Sequence, residues 1–111
     1  MGKEFFVGPM QLKAGVTGEE LEKFWVEEYL PTVTELPGYH VSLCKGHHGK
    51  RPNQYLYLGH FESNERLREL HPSDGESAEW NQWVADNPNQ QKLMDFFDDS
   101  WMSEFTHYFE I

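Results

Sequence analysis

Apolar residues recur along this chain with two periods, and the places where the period changes divide it into elements. Residues 4–12 (EFFVGPMQL) are apolar and aromatic and predict a strand. Pro9 cannot donate to a ladder, so an edge or a bulge is expected there. Thr17-Gly18-Glu19-Glu20 reads as a capping box that opens a helix over 17–36. Its apolar stripe is Leu21, Trp25, Tyr29, Val33 and Leu36, at spacings of three and four, with Phe24 beside it. Pro31 removes an amide from this pattern, which predicts a kink near residue 30, and Leu36-Pro37-Gly38 ends it.

Alternation returns over 39–46 and again over 54–62, a strand pair joined by the polar loop 47–53. Ser63 caps a second helical region carrying Leu67 and Leu70, and His71-Pro72-Ser73-Asp74-Gly75 interrupts it. Helix resumes with Trp80, Trp83 and Val84. Asn87-Pro88 then sets an N-cap for a stripe of Leu93, Met94, Phe97 and Trp101. Residues 102–110 are the last strand. The order βαββαβ predicts one α+β domain over residues 1–111: a ferredoxin-like, four-stranded antiparallel sheet with helices on one face. The third strand is non-polar on both faces, with Tyr55, Tyr57, Gly59 and Phe61 on one and Leu56 and Leu58 on the other. Helices cover one face of such a sheet, so a second copy is expected over the other, giving a homodimer with the sheets face to face.

Composition narrows the partners. The 111 residues carry 19 acidic and 9 basic side chains, a net charge of -10, and Lys50-Arg51 is the one basic cluster. Nucleic acid and anionic membranes are therefore not expected partners. No apolar run of about 18 residues is present to span a membrane. The N-terminus does not read as a signal peptide, because Glu4 interrupts it and Gly8-Pro9 ends its apolar run. The single cysteine, Cys44, excludes an internal disulfide and suits a cytoplasmic location.

Phe24-Trp25, then Tyr29-Leu30-Pro31, then Leu36-Pro37-Gly38 resembles the helix signature of the dimeric α+β barrel superfamily, notably its EthD-like proteins. Phe61-Glu62-Ser63 followed by His71-Pro72-Ser73-Asp74 resembles the stress-responsive A/B barrel group. The resemblance covers roughly residues 4–111. It implies a homodimer whose two sheets form a barrel, and a small pocket between each sheet and its helices. The superfamily includes cofactor-free monooxygenases, cyclases, isomerases, decarboxylases, haem-degrading enzymes and members without known activity. EthD-like members often carry a histidine where this chain has Tyr29, and the other group carries one where this chain has Asp74. Neither acid–base residue carries over.

The residues themselves suggest a ring-lined pocket. Tyr29 follows Trp25 by one helical turn, so both point towards the sheet. Tyr29 either orients a phenol or carbonyl there or is a core tyrosine with a satisfied hydroxyl. Gly59, next to Tyr57, leaves a gap where that helix should lie. The expected pocket lies between helix 17–36 and the sheet, lined by Trp25, Tyr29, Tyr57 and His107, with Trp80 or Trp83 closing it. His71 and Asp74 flank a helix break, where a carboxylate would raise the imidazole's pKa and suit it as a general base. His107 alternates with Phe105, Phe109 and Ile111, and enters the pocket if that face meets the helices. Tyr29, His71, Asp74 and His107 are thus the candidate catalytic residues.

His47 and His48, with His40 and Cys44 nearby, are neighbours in sequence that point apart, so no metal site is expected. A haem would need His71 or His107 as its axial ligand. No cofactor is implied. The expected function is a cofactor-independent monooxygenase, cyclase or isomerase acting on a small aromatic or polyketide-like molecule. The alternatives are a non-catalytic homodimeric module that binds a small apolar ligand, and a haem or metal protein.

Overall fold

The computed structural model describes residues 3–50, 53–100 and 104–111. Strand β1 (Glu4–Met10) is followed by α1 (Gly18–Phe24), a π-helical turn (Trp25–Tyr29) and α2 (Leu30–Thr32). Strands β2 (Tyr39–Lys45) and β3 (Tyr55–Phe61) come next, then α3 (Asn64–Leu70), α4 (Ala78–Asp86), α5 (Pro88–Met94) and β4 (Thr106–Phe109). The strands form one antiparallel sheet in the order β2-β3-β1-β4. This is the expected α+β, ferredoxin-like arrangement, with helices on one face.

The sequence signals act locally as anticipated at several ends. The Thr17 hydroxyl accepts from the Glu20 amide at 3.2 Å, and the Ser63 hydroxyl accepts from the Arg66 amide at 3.1 Å. Pro9 pairs with Leu56 of β3, and the described ladder between β1 and β4 stops at Val7.

The first helical region departs from expectation in length and in the form of its bend. It ends at Thr32 rather than at residue 36, and its irregularity is a π turn ahead of Pro31. The Leu30 amide donates to the Trp25 carbonyl, one residue further back than in an α-helix. Pro31 has no amide to give, and its ring would crowd the carbonyl four residues back. The wider turn relieves that crowding. The Glu28 carbonyl is taken instead by the Thr32 hydroxyl at 2.5 Å and the Asn89 side chain at 3.1 Å.

β1 and β4 are also shorter than the expected 4–12 and 102–110. Leu12 makes only an isolated bridge to Phe97, and β4 spans four residues. Trp101 and Met102 lie outside the described residues.

The register sets the two faces of the sheet. Tyr39 pairs with Phe61, Leu43 with Tyr57, Gly8 with Tyr57 and Phe6 with Gly59, and these residues share the face under the helices. Phe5, Val7, Leu56, Leu58 and Tyr108 share the opposite face. Under the helices the core divides in two. Leu21, Phe24, Tyr29, Tyr57, Leu93 and Phe97 belong to one part. Leu36, Tyr39, Phe61, Leu70 and Trp83 belong to the other.

A cavity beside a chain of hydrogen-bonded phenols

Between the two halves of the core runs a polar chain. The Tyr29 hydroxyl donates to Gln90 Oε1 at 2.6 Å, and Gln90 Nε2 donates to the Tyr57 hydroxyl at 3.0 Å. The hydroxyls of Tyr57 and Tyr39 lie 3.0 Å apart. Burial pushes all three phenols above their ordinary pKa, so they stay neutral across the physiological range.

Counting protons on this chain yields a donor. Tyr57 oxygen already accepts from Gln90, and one further hydrogen bond joins Tyr57 to Tyr39. Two phenolic hydrogens serve that single bond. One of them therefore has no acceptor within the chain of bonds Tyr29–Gln90–Tyr57–Tyr39.

That spare donor borders a cavity of about 630 Å³. Tyr39, Tyr57, Phe6, Phe61 and Phe105 contribute from the sheet side, and Trp80, Val84, Gln90 and Met94 from α4 and α5. His71, Glu76 and His107 are also in its wall. A space of this size, mostly apolar with a few polar groups, suits a small organic ligand.

His71 reaches the cavity because α3 cannot pass it. The residue before a proline is driven out of helical geometry, and His71 adopts φ -127° and ψ 72° at the end of α3. Its ring packs 4.4 Å from Trp80 and 5.9 Å from Phe61, centroid to centroid. Burial holds its pKa below the ordinary value, with nearby His107 acting the same way and the Glu76 carboxylate acting against it. The imidazole is thus uncharged at neutral pH and free to take a proton.

The candidate residues separate on this geometry. Tyr57, Trp80, His71 and His107 line one cavity. Trp25 and Tyr29 do not. They stack on each other at 4.5 Å, and Tyr29 is buried behind Gln90. Trp83 faces the other half of the core, its indole N–H donating to the Thr34 carbonyl at 2.9 Å. Asp74 stands exposed in the turn closed by the bond from the Gly75 amide to the Pro72 carbonyl. The carboxylate that acts on His71 belongs to Glu76.

The cavity itself is displaced from the expected place. It lies under α4 and α5, because α1 and the π turn pack directly on Tyr55 and Tyr57. The gap over Gly59 is also filled: a Cβ there would lie 3.3 Å from the Tyr39 hydroxyl and 3.4 Å from its ring. Sequence reasoning passed over Tyr39 and Gln90. The available signals were alternation of Tyr39 with Val41 and Leu43, and the place of Gln90 three residues before Leu93 on an apolar stripe.

No family model and no curated protein matches the chain. Among solved structures it is similar to an ethyl tert-butyl ether D (EthD) family protein from Bacillus halodurans C-125. The identity is 11%, with 100% of this chain and 98% of that one covered and a TM-score of 0.49. Among the described residues no group of three or more His, Cys, Asp or Glu side chains is placed to hold a metal ion, and no helix is long and apolar enough to cross a membrane.

The depressed pKa of His71 has a consequence for stability. The unfolded chain takes up this proton near pH 6.5 and the folded one only at lower pH, so folding is favoured above that range. His60, whose pKa burial also lowers, acts in the same direction. Stability should fall as pH drops below about 6.5 and level off once the folded-state imidazoles are protonated. Urea midpoints measured from pH 8 to 5 check this, and His71→Gln should flatten the profile. A profile unchanged by that substitution would contradict the burial of the imidazole.

Proposed function

We propose that the cavity binds a flat, weakly acidic aromatic or 1,3-dicarbonyl molecule and moves a proton on it without a cofactor, in the manner of an isomerase or cyclase. The observation that carries this reading is the spare phenolic hydrogen of the Tyr39–Tyr57 pair, bordering the same cavity as an uncharged imidazole. An oxygen of the ligand accepts the phenolic hydrogen. His71 removes a proton from an activated carbon or hydroxyl of the ligand, and the negative charge gathers on the oxygen held by the phenol. The imidazolium then returns the proton to a different atom, which completes an isomerisation or ring closure with no net redox change.

The working unit is proposed to be a homodimer. The face carrying Phe5, Val7, Leu56 and Leu58 is apolar, and the helices lie on the opposite face. A second copy packed sheet to sheet buries it.

Binding is tested by titrating substituted phenols and 1,3-diketones against tryptophan fluorescence. Tyr39→Phe and Tyr57→Phe together, which remove both phenolic hydrogens of the pair, should weaken binding about fivefold to tenfold, the worth of roughly one hydrogen bond. Chemistry is tested by following exchange of the acidic C–H of a 1,3-diketone into deuterated water. His71→Gln should bind as wild type does and lose about a hundredfold or more of the exchange rate. Wild type that binds nothing in a broad panel would defeat the reading.

A further inference from the structure

Tyr39 borders two spaces. One is the cavity, and the other is a groove of about 280 Å³ running past Leu30, Val33, Leu36 and Trp83 at the β2 edge. Among the described residues no other side chain lines both. The Tyr39 ring is 6% exposed and lies over Gly59, edge-on to Trp80 at 5.3 Å and to Trp83 at 5.8 Å. Trp80 belongs to the cavity wall and Trp83 to the groove wall. The hydroxyl bond to Tyr57 fixes the ring in this position.

We infer that Tyr39 is the specificity-determining wall of the site: it excludes ligands with a long substituent next to the oxygen they present to the phenol pair. The inference rests on the proposed binding reading and adds a substrate class to it. The geometry gives the direction. A ligand oxygen that takes the spare hydrogen sits beside the Tyr39 and Tyr57 hydroxyls. On this reading a group ortho to that oxygen lies close to the phenol pair, of which Tyr39 is the member that divides cavity from groove, while a para group lies farther from it. Short ortho substituents fit, and longer ones collide with a ring held by its own hydrogen bond. Removing the ring's outer half joins the cavity to the groove, where Leu30, Val33, Leu36 and Val41 offer an aliphatic strip along which an alkyl chain can lie.

The test uses two series of probes, 2-alkylphenols and 4-alkylphenols from methyl to hexyl, titrated by tryptophan fluorescence. In wild type, affinity should fall about tenfold or more past a short ortho chain and show no such break in the para series. Tyr39→Leu and Tyr39→Val should move the ortho break to longer chains and leave the para series without a break, whatever the overall change in affinity. Tyr39→Phe loses the hydroxyl bond but keeps a ring packed against Trp80, Trp83 and Gly59, and should keep the break. Wild type that binds both series without an ortho break overturns the inference, and needs no variant to do so. A break that Tyr39→Leu fails to move, in protein whose melting curve shows it folded, overturns it as well. Wild type that binds neither series defeats the binding reading itself, which is a different result.

Discussion

Leu58→Asp should make the protein, proposed above to be a homodimer, aggregate. Leu58 is on β3, in the middle of the sheet, with Val7 of β1 and Ser42 of β2 directly beside it on the same face. An aspartate there puts a charge in the centre of the proposed interface, where it has no partner and no water. The separated subunit still carries the half-buried Phe5, Val7 and Leu56 on the same face, apolar surface that can associate with other copies. Light scattering should give wild type about twice the 13.1 kDa of one chain. A monomeric wild type at micromolar concentration, or a soluble and monomeric Leu58→Asp, would remove the argument for the dimer.

Asn87→Ala should cost about 3 kcal/mol of stability and lower the melting temperature by roughly 10 °C. Asn87 is 3% exposed. Its Oδ1 accepts from the Thr34 amide, and its Nδ2 donates to the Thr34 hydroxyl and the Trp83 carbonyl, each at 2.8 Å. These bonds tie the segment after α2 to the junction of α4 and α5. Truncation leaves the Thr34 amide and the Trp83 carbonyl short of partners. Asn87→Asp separates this role from simple capping. Aspartate caps a helix about as well as asparagine, but it cannot donate to Trp83 or Thr34. A clamp predicts that aspartate is damaging too, and thermal melts decide between the two.

Asn87 also shows where the sequence stopped being informative. Asn-Pro marks the start of α5, and Pro88 does occupy its first turn. Yet the Asn87 side chain makes no capping bond to α5 and reaches across to Thr34 instead, a partner 53 residues away. Local patterns carry information about bonds that close within a turn, as at Thr17 and Ser63, and about which strand face is apolar. They carry none about which two elements cross at a given point. The same limit explains Gly59. A glycine on an aromatic strand signals missing volume, and the register alone decides that the Tyr39 ring, from the neighbouring strand, occupies it.

The π turn was hidden for a different reason. Pro31 announces a disturbance, but whether the chain kinks, breaks or widens depends on which groups can take the carbonyls set free. Here Asn89, on α5, is one of them. Of the site, the pattern made Tyr57, Trp80, His71 and His107 visible because rings and imidazoles stand out. Gln90 was masked as an ordinary polar residue, although a polar side chain on a buried stripe needs a buried partner.

The phenol chain sets an order of events during folding. Its bonds join residues 61, 33 and 18 positions apart, and they converge on one amide in α5 and one hydroxyl in β3. The Tyr39–Tyr57 bond needs only the pairing of β2 with β3, but the two bonds of Gln90 close only when α5 has docked on the sheet and on the π turn. Helix formation and strand pairing need no such convergence and can precede it. In a refolding experiment the near-ultraviolet signal of the tyrosines should therefore lag the far-ultraviolet signal of the backbone. Gln90→Leu should hasten unfolding more than it slows refolding, the kinetic mark of contacts made after the transition state.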